Sequence, residues 1–284
     1  MVSATQRYKR KDEQSRLEEF LHRKADEYNR PEFILADPIS VPHTFSLQQD
    51  IEIAGFFAAL FAWGNRKTII AKSKELMKLM DDSPYDFVLN HRDSDLKAMG
   101  SFKHRTFNSE DLYYFIEFLQ GHYSGSLRYN ANIELIKFNP EFPTLETAFT
   151  IGLRADHSST EDVLRNFFNY FFSIADSPKR TRKHISTPAK NSACKRLSMF
   201  LRWMVRYDKN NVDFGIWHSL QPSQLVCPLD VHVARVAKRF GLIKREQTDW
   251  AAAIALTETL KRFDPKDPVR FDFALFGLGA EEKF

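Results

Sequence analysis

The chain holds only two cysteines in 284 residues, Cys194 and Cys227. That excludes a disulfide framework and a four-cysteine metal site, and a reducing, cytoplasmic setting is the natural expectation. Glycine is scarce as well, at ten residues. No glycine-rich phosphate loop, nucleophile-elbow serine or HExxH-like spacing occurs, so nucleotide-binding, serine-hydrolase and zinc-peptidase readings lose their support. The nine histidines show no metal-ligand spacing, and neither metal nor cofactor is expected. The longest apolar run, Ile51 to Trp63, is interrupted by Glu52 and falls short of the roughly 20 residues a membrane span needs. The first residues, Met1-Val2-Ser3-Ala4-Thr5-Gln6-Arg7, lack the apolar core of an export signal. An excess of one charge sign is missing too: the net charge is +4, which is compatible with nucleic acid without demanding it.

What the chain has in quantity is phenylalanine, 26 residues, within a composition that is 43% hydrophobic and ample for a core. Few glycines and apolar residues at helical spacing predict an all-α fold. Residues 1–29 read as a charged outer helix with a thin apolar stripe of Leu17, Phe20 and Leu21. Residues 30–45, with Pro31, Pro38 and Pro42, read as an extended connector. Ser46-Leu47-Gln48-Gln49 reads as a capping box that launches an apolar helix through Trp63, with a second helix from about Lys67 to Met80. Further helix starts are read at Ser83-Pro84, Asn108, Ser159, Asp230, Thr248 and Asp267-Pro268, and the last helix ends at Gly277-Leu278-Gly279. The segment from Gly121 to Pro143 has no clear pattern.

Candidate chemistry concentrates on two helix starts. From Ser192 to Arg206, Leu197, Phe200, Leu201 and Met204 have the spacing of a buried face, which puts Lys195, Ser198, Arg202 and Arg206 on the opposite, polar side. Upstream lies the basic run Lys179-Arg180-Thr181-Arg182-Lys183-His184. Together they form a cationic strip suited to phosphate, or a solvated polar face behind a basic loop. Asp230 is an N-cap by type and position. A carboxylate held by helix amides also has a fixed direction, which suits stabilising a developing positive charge. Lys195 and Asp230 are 35 positions apart, so only the fold can make them a pair of amine nucleophile and carboxylate. His232, Trp63 and Asn65 are pocket or wedge candidates, each with a plainer alternative: a packed histidine, a buried tryptophan and a turn asparagine.

Cys194-Lys195-Arg196-Leu197-Ser198-Met199-Phe200-Leu201 and Pro228-Leu229-Asp230-Val231-His232-Val233 resemble the lysine helix and V-D-x-H-V segment of the helix-hairpin-helix DNA glycosylase superfamily. Glu52 to Leu60 and Phe273-Ala274-Leu275-Phe276-Gly277-Leu278-Gly279 are similar to two further segments of it. Over nearly its whole length, including Ala62-Trp63-Gly64-Asn65-Arg66, the chain resembles an uncharacterised bacterial family thought to be an offshoot of that superfamily. The resemblance implies a two-lobed all-α fold: one lobe of residues 46–206, the other combining 1–45 with 207–284. It implies a monomeric base-excision enzyme with lyase activity on double-stranded DNA carrying a damaged base, an oxidised purine for example, flipped out of the stack. Lys195 would attack the sugar C1′ and Asp230 would stabilise the cationic sugar. Lys190, Asn191, Arg202, Arg182 and Lys183 would bind the nucleic acid.

The sequence departs from the superfamily at the hairpin. Where relatives have L-P-G-V-G, whose glycine amides grip a phosphate, this chain has Thr187-Pro188-Ala189-Lys190-Asn191-Ser192-Ala193. The separation from lysine to aspartate is also long, because of an insert around Tyr207–Val226, and is closest to that of archaeal 8-oxoguanine glycosylases. The cysteine cluster that holds an iron–sulfur centre in some relatives is missing. The alternatives are a nucleic-acid-binding module with the same fold and no chemistry, and an RNA-modifying enzyme.

Overall fold

The computed structural model describes residues 4–127, 143–153 and 159–284, with side chains from residue 12 onward. The patternless segment after Gly121 therefore falls largely outside the described residues. The fold is all-α, with one two-stranded antiparallel ribbon among the described residues, β1 (Lys103–His104) and β2 (Phe107–Asn108).

The chain starts with α1 (Ala4–Tyr28) and then meets its prolines. The expected extended connector is instead a series of short helical turns: α2 (Pro31–Leu35), then 3-10 turns at Pro38–Ser40 and Pro42–Thr44. Proline at a first helical position gives up an N–H that would have had no partner anyway, and its fixed φ suits the turn. Arg30 and Asp37, just before two of these prolines, are extended, as the proline ring demands of its predecessor.

α3 (Gln48–Leu60) is buried on nearly every face, the mark of a central helix. Its cap is Leu47, which contributes no side-chain bond, so the expected capping box does not form. Around it lie α4 (Arg66–Leu79), α5 (Pro84–Asn90), α6 (Asp93–Ala98), α7 (Ser109–Tyr123), α8 (Leu145–Thr150), α9 (Thr160–Phe171) and α10 (Lys195–Val205). The abundant phenylalanines meet here. Phe56 lies within 6.4 Å, ring to ring, of Phe57, Phe115, Phe149, Phe167, Phe171 and Phe200, tilted or edge-on as ring quadrupoles favour. Asn108 and Ser159 cap α7 and α9 with their side chains, as their residue types predict.

The chain closes with α11 (Val231–Arg239), α12 (Trp250–Leu260) and α13 (Phe271–Ala280). The cap of α12 is Asp249 rather than Thr248. α13 includes Gly277 and Gly279 and ends at Ala280, one residue past the expected stop. A Cβ on Gly277 would collide with the Tyr28 ring of α1, and one on Gly279 would lie 2.9 Å from the His232 carbonyl of α11. These glycines permit close approach of helices rather than a stop.

One charge sits at the centre of the phenylalanine core. Glu52 is fully buried, and its two oxygens accept bonds from Trp217 Nε1 at 2.6 Å, Gln48 Nε2 at 3.2 Å, Tyr123 Oη at 3.1 Å and the Leu145 amide at 2.7 Å. It thereby ties α3 to α7, α8 and the segment after α10. Burial pushes its carboxyl up to about 7, against the pull of those donors. A folded-state value above the unfolded one means that the stabilising contribution is complete below about 4.5 and is lost as pH rises through 7. Glu52→Gln, which mimics the protonated acid, should therefore gain about 2 kcal/mol relative to the parent between pH 5 and pH 8 in urea unfolding. A difference that is the same at both pH values would show that this carboxyl does not titrate in the fold.

Candidate active site

α10 begins abruptly. Asn191 and Cys194 both adopt left-handed backbone, with φ of 56° and 51°, so the turn before Lys195 is made without glycine. The Asn191 side chain donates to Asp249 Oδ2 at 3.2 Å, and the Cys194 amide donates to Ser192 Oγ at 3.2 Å. Arg196 then anchors the first turn by donating to the Leu60 carbonyl at the end of α3, 2.7 Å away, and to the His184 carbonyl at 3.3 Å. Lys195 precedes this anchor and stays partly exposed.

Asp230 caps α11. Its Oδ1 accepts both the His232 and the Val233 amides, each at 2.8 Å. With both bonds on one oxygen, Oδ2 remains available for another partner. Lys195 and Asp230 line one cavity of about 400 Å³, within the range of small-ligand sites. Residues nominated from separate stretches of sequence thus share one space. His232 lines it too, and its Nδ1 is buried without a hydrogen-bond partner among the described residues.

The cavity contains residues that sequence reasoning missed. Asp37 and Asp272 are both buried and both line it. Asp272 Oδ2 accepts from Arg202 Nη1 at 2.5 Å. Burial pushes its carboxyl up to about 7 against the pull of Arg202, and the charge of Asp230 pushes the same way. Burial likewise raises Asp37, opposed first by the bond from the Ile39 amide. Arg66 contributes a cation that lies 5.2 Å over the Phe276 ring. Asp272, a lone charge inside Phe271-Asp272-Phe273, carried a visible signal. Asp37 read only as part of a proline connector.

The expected cationic strip is partly folded away. Arg202, assigned to nucleic acid, is 3% exposed: it pairs with Asp213 at 3.3 Å and Asp272 at 2.5 Å, and lies 4.2 Å over Phe273. Ser198 and Arg206 are buried as well. The polar face of α10 is covered by carboxylates from the following loop and from α13. In the basic run, Arg180, Thr181 and His184 all converge on buried Asp111, at 2.6, 2.7 and 3.1 Å. Burial opposes ionisation of Asp111, but the bonds from His184 and Thr181 and from the Asn108 amide hold it at about 2. Arg182 lies 4.8 Å over Phe172 and donates to Ser177. Lys183, Lys190 and Asn191 remain exposed, with the Lys190 ammonium 5.5 Å from the Phe168 ring.

Neither wedge candidate at the α3–α4 turn is free. Trp63 is half-buried, with Arg105 at 5.1 Å and Arg196 at 5.8 Å from its ring centroid. Asn65 caps α4 by accepting from the Thr68 amide at 3.3 Å.

The model of one family, Protein of unknown function (DUF2400), matches residues 37–281, and the chain belongs to that family. The matched stretch contains every residue that lines the cavity. No curated protein and no solved structure matches the chain.

Removing Arg202 leaves Asp213 and Asp272 buried without their shared partner. Arg202→Met should cost about 3–5 kcal/mol in urea unfolding. A loss below about 1 kcal/mol would mean that these carboxylates do not depend on it.

Proposed function

We propose that this DUF2400 member is a DNA base-excision enzyme of the helix-hairpin-helix glycosylase type, with Lys195 as nucleophile and Asp230 as the stabilising carboxylate. The observation that carries this reading is the shared cavity: an amine and a carboxylate with a spare oxygen line the same space. An amine beside a fixed carboxylate is the arrangement that covalent attack on a sugar carbon requires.

In the proposed reaction the unprotonated Lys195 amine adds to C1′ of a flipped nucleotide as the bond from C1′ to the base nitrogen breaks. The bonding electron pair leaves with the base, which takes up a proton. Asp230 Oδ2 stabilises the positive charge that develops on the sugar ring. Opening of the ring gives an imine between the lysine and C1′. Loss of a proton from C2′ then expels the 3′ phosphate and nicks the strand. Half-burial keeps both side chains reachable while limiting water around them, which strengthens the electrostatic contribution of the carboxylate. The damaged base would occupy the part of the cavity lined by Asp37, Asp272 and Phe276.

The test is borohydride trapping with duplexes carrying 8-oxoguanine or other lesions. The parent should give a covalent adduct, Lys195→Gln none, and Asp230→Asn an adduct formed about 10²-fold more slowly. An adduct that persists in Lys195→Gln would reject the nucleophile. DNA binding without base release on any lesion would favour a binding module with the same fold.

A further inference from the structure

Arg180 and His184 of the basic run are folded onto Asp111, and a duplex that delivers a nucleotide to the cavity needs a cation at the rim to hold its backbone. The structure offers one in a place the sequence did not suggest. The β1–β2 ribbon turns at Arg105, whose φ is 54°. Arg105 is exposed, and no carboxylate among the described residues pairs with it.

Its guanidinium is nevertheless held in position. It lies 5.1 Å over the Trp63 ring, a contact that fixes an arginine without spending its hydrogen-bond donors. It also packs on the bare backbone of Gly64, where a Cβ would come within 2.5 Å of Arg105 Nη1. Gly64 and Arg196 line the cavity, and the Arg196 guanidinium flanks the same Trp63 ring at 5.8 Å. Arg105 is therefore a pre-positioned, unpaired cation at the cavity rim. The other arginines of the site are committed: Arg196 to carbonyls, Arg66 to Glu281 at 3.5 Å, Arg202 to Asp213 and Asp272.

The geometry points to Arg105 as a phosphodiester clamp that holds the backbone of the nucleotide entering the cavity, with Trp63 and Gly64 as its mount. A guanidinium presents parallel N–H donors that match phosphate oxygens. Gly64 leaves room for the arginine, and φ of +109° there suits glycine. This role rests on the proposed function, because it supposes a flipped nucleotide in the cavity.

The experiment measures binding by fluorescence anisotropy over a series of salt concentrations. The probes are an undamaged duplex and the same duplex carrying a tetrahydrofuran abasic analogue. Arg105→Gln should weaken binding to the tetrahydrofuran duplex about tenfold. It should also lower the slope of log affinity against log salt by about one. Its effect on the undamaged duplex should be smaller. Arg105→Lys should keep the slope and recover part of the affinity, and thermal melting should show both variants folded, since the side chain is exposed. An equal loss on both duplexes would reduce Arg105 to general surface charge and overturn the clamp. So would an unchanged affinity in Arg105→Gln, while leaving the Lys195 chemistry standing. A parent protein that binds neither duplex would overturn the clamp together with the proposed function.

Discussion

The guanidinium groups of Arg202 on α10 and of Arg206 just past its end are held in the interior by Asp208, Asp213, Asp267 and Asp272. Phe273 lies beneath both, at 4.2 and 5.4 Å. Withdrawing such charges from water costs several kcal/mol each, a cost offset only when every partner is in place. The loop after α10 and the start of α13 must therefore close on α10 together, and the orientation of that helix follows. Lys195 lies seven residues before Arg202, about 10 Å along the axis, so the ion network fixes where the lysine emerges. The network also reaches the cavity itself, because Asp272 belongs to both.

That double membership shapes the electrostatics of the site. Asp37, Asp230 and Asp272 bring three carboxylates to one cavity, faced by Lys195, Arg66 and Arg196. Desolvation raises the two buried acids, Asp37 and Asp272, whereas Asp230 is stabilised by two amides at a helix start. Similar side chains thus sit in different surroundings, two buried and one half-buried at a helix start. The two amide bonds that make Asp230 a cap also hold its carboxylate in one direction.

The helix starts at Asn108, Ser159 and Asp230 were legible because capping is settled within three residues of the cap. Lys195 and Asp230 stood out as openings of two helices within short motifs that carry the family resemblance. Their sharing of a cavity was not legible, since it depends on contacts that no spacing encodes. Arg202 shows the limit from the other side. Apolar periodicity locates the buried face of α10 but does not say whether water or protein covers the opposite face, and Arg202 finds Asp272 seventy positions away. The prolines after α1 point to an extended connector when their predecessors alone are weighed, whereas each proline starts a helical turn. Arg105 left no signal, since a ribbon of two-residue strands is too short to show alternation and its partners, Trp63 and Gly64, lie in another part of the chain.

The turn before Lys195 carries one more consequence. Left-handed backbone at a non-glycine residue costs of order 1–2 kcal/mol and persists only when its surroundings over-determine it. At Asn191 and Cys194 those surroundings are visible: a side-chain bond from Asn191 to Asp249, a bridge between Ser192 and Asp249, and two bonds between Ser192 and Cys194. Asp249 is in turn held by Arg245 at 2.5 Å. A glycine hairpin of the kind found in the resembled superfamily leaves its amides bare for phosphate. This turn spends several of its polar groups on itself and on the cap of α12, which sets the direction of the lysine helix. Under the proposed function, gripping and attack, combined at one hairpin in that superfamily, would be separated in this fold, with the backbone contact made elsewhere on the cavity rim.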